Sequence, residues 1–235
     1  MKYLAIALAL FALPTMASED IPDQYPGSVL YSKPVEFIPG VYSAIGATAP
    51  PTYENAGHNN NLSFIVTGEG VVVVNGGASY LLAKALHAEI KAVTDQPVVL
   101  VFNENGQGHA MLGNSYWKDQ GVKIVAQAEA AAEFEEYGGQ SLRAAQATVR
   151  ERADQTRVVL PTETFDDAYV VELGGLLIEA RYLGPAHSPG DIVVWLPQKS
   201  LVISGDMAFH ERMLPIFDHT MTADWIETWD TEFEK

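Results

Sequence analysis

Val101-Phe102-Asn103-Glu104-Asn105-Gly106-Gln107-Gly108-His109-Ala110-Met111-Leu112-Gly113-Asn114 is where an apolar segment gives way abruptly to amides, an acid and an imidazole. Pro97 to Phe102 is a continuous apolar run, the pattern of a strand covered on both faces. The residues that follow are polar and glycine-rich, so they read as a loop at the end of that strand. Glu104, Asn105 and Gln107 can hydrogen-bond a polar ligand there, and His109 adds a group that can bind a proton or a metal.

Outward from this stretch the pattern alternates between strand and helix. Val35 to Ala47 predicts a strand pair turning at Pro39-Gly40. Leu62 to Thr67 and Val71 to Val74 predict a hairpin across Gly68-Glu69-Gly70. Leu81, Leu82, Leu86, Ile90 and Val93 recur at helical spacing, which predicts a helix over 79–93. Val122 to Ala126 is a further strand. Ala128 to Ala153 has helical composition, with a break expected at Gly138-Gly139. From Thr164 the texture is β: Tyr169 to Leu173, Leu176 to Leu183, Asp191 to Leu196 and Leu201 to Ser204. Ala223 to Phe233 predicts a closing helix. Strands, helices, then strands suit a sandwich with helices on its outer faces.

The first residues read as a leader. Lys2, the apolar run Tyr3 to Leu13 and the small residues around Ala17-Ser18 form a signal peptide over 1–17. The run is too short to span a bilayer. A periplasmic or secreted domain over 18–235 is expected, with no stable membrane anchor after cleavage. Cysteine is absent, which excludes thiolate metal sites and cysteine nucleophiles. The formal net charge of −16 repels phosphate backbones and argues against a nucleic-acid partner. A small-molecule substrate or ligand is the expected partner, and the oligomeric state stays open.

Four segments, in order, resemble the metallo-β-lactamase superfamily. Asn61 to Gly77 resembles its opening hairpin, with Asn75 where an Asp is usual. Val101 to Asn114 is similar to its Asn-Thr-His-x-His-x-Asp-His loop, but Asn105, Gln107, His109 and Ala110 stand where His, His, Asp and His belong. Gly184-Pro185-Ala186-His187-Ser188-Pro189-Gly190-Asp191 is similar to its Gly-x-x-His-Thr-x-Gly-Asp turn. Ser204-Gly205-Asp206 matches the strand end whose Asp bridges two metals. The resemblance implies an α/β (α+β) fold, a four-layer αββα sandwich. The family's last His ligand lies beyond the closing helix. The sequence ends at Lys235, so a naturally short domain and a C-terminally truncated one both stay open.

The resemblance further implies a metal-dependent hydrolase acting on an ester, thioester, lactone or amide. Amide side chains are poor zinc ligands, which argues against two tightly held zinc ions. His109, His187 and Asp206 are left as ligands for one divalent metal, zinc or ferrous iron. Asn105 and Gln107 are then expected to orient a substrate carbonyl. A non-catalytic periplasmic binding or accessory protein, or an inactive fragment, is the alternative. His58 reads as a solvated loop residue or a substrate contact, and His210 as a surface or supporting residue. Ser188 beside His187 has no third group to make a triad.

Overall fold

Alternating apolar residues build the first sheet from two hairpins. Val35–Ile38 (β1) pairs antiparallel with Val41–Ala44 (β2), β2 with Leu62–Val66 (β3), and β3 with Val71–Val74 (β4). Val98–Asn103 (β5), Lys123–Gln127 (β6) and Glu163–Phe165 (β7) then add in parallel, giving the order β1-β2-β3-β4-β5-β6-β7. The computed structural model describes residues 25, 27–217 and 220–234. The expected signal peptide therefore lies outside the described residues.

Parallel neighbours need crossovers. These are Tyr80–Val93 (α1), the pair Gly108–Met111 (α2) and Asn114–Asp119 (α3), and Ala128–Val149 (α4). Ser79 caps α1 by accepting from the Leu82 N–H at 3.1 Å, which satisfies one of the first-turn donors. The second sheet is antiparallel in the order β11-β10-β9-β8, from Ala168–Leu173 (β8), Leu176–Tyr182 (β9), Ile192–Leu196 (β10) and Leu201–Ile203 (β11). Thr222–Thr228 (α5) follows and widens into a π turn over Trp229–Phe233.

Among the described residues four apolar clusters hold these parts together, one of them Ala130 and Phe134 of α4 against Met111 of α2 and Ala126 of β6. Ile65, Val72, Leu100 and Phe102 meet Ile178, Ile192 and Val194 between the sheets. On the outer face of the first sheet, Leu82, Leu86 and Ile90 of α1 and Trp117 of α3 pack on Phe64, Val73 and Ile124. Val71 to Val74 is buried throughout because its alternate side chains enter these two layers. Trp225 of α5 covers Val193 and Met207 on the outside of the second sheet. The result is the expected αββα sandwich. Among the described residues, no helix is long and apolar enough to cross a membrane.

The expected break in the long helix does not occur: α4 runs unbroken through Gly138-Gly139 and ends in a 3-10 turn over Arg150–Ala153. Gly138 is buried because the ring of Phe134 and the side chain of Val158 close over it. A Cβ there would lie 3.1–3.2 Å from both. That glycine serves close packing, not helix termination. The loop expected after β5 also holds more structure than its composition suggests, since α2 and α3 both form in it.

Candidate metal centre

The two sheets are tied at the edge where β5 ends. The Ile192 N–H donates to the Glu104 carbonyl at 2.8 Å, so the start of β10 holds the residue that follows β5. The Glu104 N–H donates to Asn75 Oδ1 at 3.2 Å, and Asn75 Nδ2 reaches the Asn61 carbonyl at 3.4 Å. Asn75 thus orders the loop start with its amide. Glu104 is consequently fixed by its backbone, and its carboxylate is buried within the site.

His109, in the first turn of α2, brings Nε2 to 3.2 Å from Glu104 Oε1 and 3.5 Å from Asp206 Oδ2. Asp206 comes from the turn after β11. His187, from the loop before β10, places its Nε2 3.8 Å from the same Asp206 oxygen. Of the three residues expected as ligands, His109 and His187 both approach the third, Asp206. Glu104 joins them, and ligating atoms of Glu104, His109 and Asp206 all lie within 4.8 Å of one another. Glu104, expected only to hydrogen-bond a polar ligand, takes a place in the cluster that no motif assigns to it. The available signal was an acid at the Thr place of the family's loop, beside the missing imidazoles.

Asn105 is fully buried and already engaged. Its Nδ2 donates to Asp191 Oδ1 and to Asp206 Oδ2, both at 3.1 Å, and its Oδ1 accepts the Gln107 N–H at 3.0 Å. Its two N–H groups thus hold two carboxylates side by side. Asp191 also accepts a short hydrogen bond from the Ser188 N–H. Gln107 and His109 both line a cavity of about 920 Å³. Gln107 Nε2 has no hydrogen-bond partner among the described residues.

Electrostatics describe a site short of positive charge. Burial, with the charge of Asp206 adding to it, pushes the Glu104 carboxyl up despite its bond to His109. Burial and Asp206 hold Asp191 well above the usual carboxylate range. Burial alone would depress His109, but Asp206 and Glu104 outweigh it and raise that imidazole to about 9. The His109 imidazole thus faces three acidic side chains, Glu104, Asp191 and Asp206. A divalent cation suits this donor set of carboxylates and imidazole, and would relieve the repulsion.

Two other histidines stand apart. His58 is not solvated, as the loop sequence suggested, but fully buried, with Nδ1 accepting the Tyr31 N–H at 2.9 Å. Burial drives its pKa down to about 4. His210 is exposed, 4.0 Å from Glu211.

Known proteins share this architecture. The chain matches solved metallo-beta-lactamases, one from Pontibacter korlensis with TM-score 0.66 at 19% identity, covering 84% of this chain and 82% of that one. IND-7 matches with TM-score 0.64 at 20% identity, covering 83% and 79%. The type 2 metallo-beta-lactamase of Bacteroides fragilis is 32% identical over 81 residues, or 33% of this chain. That stretch spans 32% of the Bacteroides fragilis protein, about a third of its length. A sequence model of the metallo-beta-lactamase superfamily matches residues 109–231, which is just over half of the 235 residues. With its sandwich, its strand-end site and this match, the chain belongs to the metallo-beta-lactamase superfamily.

Proposed function

We propose that the protein is a hydrolase that works with one divalent cation, zinc in the first instance, held by Glu104, His109 and Asp206 with His187 beside them. The observation that carries this reading is the meeting of two carboxylates and an imidazole within 4.8 Å, next to a third carboxylate. The substrate is an ester, thioester, lactone or amide. A bound cation supplies Lewis acidity and a water that ionises near neutral pH.

The chain's own residues do the rest. Asn105 bridges Asp206 and Asp191 with its amide N–H groups, so it positions ligands and does not touch substrate. Gln107 lines the cavity, and a turn of its buried, unpartnered amide N–H toward that space would let it donate to the substrate carbonyl. His187 sits among Phe209, Phe217 and Trp225, whose rings keep water from that side of Asp206. The reading includes export, on the strength of Lys2 and the apolar run after it.

Metal analysis of protein purified without chelator tests the proposal, followed by turnover of an ester, thioester, lactone and amide panel. About one equivalent of metal is expected in the native protein, and a large loss of it in Glu104→Gln. Less than about a tenth of an equivalent in the native protein rejects the metal centre. A second reading, a non-catalytic binding protein, draws on the amides at 105 and 107 and on Ala110 in place of the family's imidazoles. Metal binding without turnover on the whole panel would favour it.

A further inference from the structure

Oxygen outweighs nitrogen among the groups gathered at the end of β5. Glu104 Oε1 and Asp206 Oδ2 stand 3.2 and 3.5 Å from His109 Nε2. Asp191 is tied to Asp206 through the Asn105 amide. Against these three acids stand two imidazoles, those of His109 and His187. The positions where the family resemblance puts further imidazoles hold Asn105, Gln107 and Ala110. The Asn105 amide is engaged, and Ala110 belongs to the apolar cluster of Met111 and Phe134.

Glu104 is built in as an oxygen donor. Its N–H donates to Asn75 Oδ1 and its carbonyl accepts the Ile192 N–H, so its backbone is pinned from both sides. The residue is 3% exposed. Its second carboxylate oxygen lies against Gly205, in the turn that carries Asp206. Among the described residues no Lys or Arg pairs with Glu104, Asp191 or Asp206. Carboxyl groups buried in this way are costly until a cation meets them.

The donor type bears on which cation that is. Zinc is well served by imidazole nitrogen in a tetrahedral set. Manganese(II) is served by carboxylate oxygen and water in an octahedral one. Exchanging imidazoles for anionic oxygen therefore narrows the lead that zinc holds in the general order of affinities.

We infer that this centre admits manganese(II) as well as zinc, and that Glu104 sets the choice, its carboxylate favouring manganese where the His109 imidazole favours zinc. The inference rests on the metal centre of the hydrolase reading but not on turnover.

Titration of the metal-free full chain with manganese chloride, and separately with zinc chloride, tests it. Loss of the electron paramagnetic resonance signal of free manganese reads the first, and competition with a zinc-binding dye reads the second. The native protein should take up about one equivalent of each. Glu104→Gln keeps the shape and removes the anionic oxygen, so it should weaken manganese at least about tenfold more than zinc. His109→Gln should do the opposite, weakening zinc at least about tenfold more than manganese. A general loss of structure would weaken both metals alike. Melting curves of the metal-free proteins verify the fold. If Glu104→Gln melts early, Glu104→Asp, which withdraws the same oxygens, replaces it under the same criterion. Zinc binding without manganese binding in the native protein overturns the inference and leaves the hydrolase reading standing. Equal losses of both metals in a folded Glu104 variant overturn the role given to Glu104. Binding of neither metal overturns both readings. Manganese and zinc binding with the crossed losses, but no turnover on the panel with either metal, supports this inference and sinks the hydrolase reading.

Discussion

Gly205 and Glu104 compete for one space: a Cβ on residue 205 would collide with the Glu104 carboxylate. Gly205 also has φ +53°, in the left-handed region. The approach of Glu104 to His109 therefore depends on a missing side chain in the turn that delivers Asp206. Gly205→Ala should cost about 1–3 kcal/mol of stability and lower the metal bound per chain. Urea unfolding and metal analysis check both effects. A variant as stable and as metal-rich as the native protein would show that the contact is slack.

His187 offers a way to separate chemistry from packing. Its ring is buried among Phe209, Phe217 and Trp225, with ring centroids 5.7, 5.4 and 6.0 Å away. Phenylalanine suits such surroundings but lacks the nitrogen 3.8 Å from Asp206. His187→Phe should keep stability within about 1.5 kcal/mol of native while metal affinity or turnover falls about 10–100-fold. Full activity in a folded His187→Phe protein would remove that imidazole from the site.

His58 predicts an acid-sensitive fold. Its pKa drops from 6.5 when the chain is unfolded to about 4 when it is folded. The unfolded chain therefore binds more protons between those values. The associated stability is complete above about pH 6.5 and is lost as pH falls towards 4. The loss is on the order of 3 kcal/mol. Chemical denaturation across this window should show a slope that flattens in His58→Gln. An equal slope in both proteins would assign the acid sensitivity elsewhere.

The paired glycines of α4 should answer differently to alanine. A Cβ on Gly139 meets nothing nearer than Arg143 Nη1 at 3.6 Å, so Gly139→Ala should stabilise by about 0.5–1 kcal/mol. Gly138→Ala presses on the buried Phe134 ring and should forfeit that gain. Thermal melts of the two variants test this, and an equal rise in both would mean that Phe134 yields freely.

The same glycines show what a sequence conveys and what it withholds. Leu62 to Val74 announces a hairpin because its apolar run and Gly-rich turn are local signals, and the structure contains β3 and β4 there. Gly138-Gly139 announces a helix end by the same local logic, yet the reason for Gly138 is Val158, twenty residues on. β7 falls in the stretch from Thr164 that reads as β, but three residues, Glu163 to Phe165, are too few to mark a strand of their own. The candidate site divides similarly. His109, His187 and Asp206 could be picked out by their places in motifs. The role of Glu104 depends on Gly205 and on the backbone bond from Ile192, contacts between parts of the chain that no motif links.

Asn105 also joins two loops that are far apart in the chain. Its amide nitrogen donates to Asp191, at the end of the His187 turn, and to Asp206, in the turn after β11. A residue with a single donor at 105 can serve only one of these acids at a time. Asn105→Ser should therefore loosen both turns together, so that damage to one side of the cleft is felt on the other.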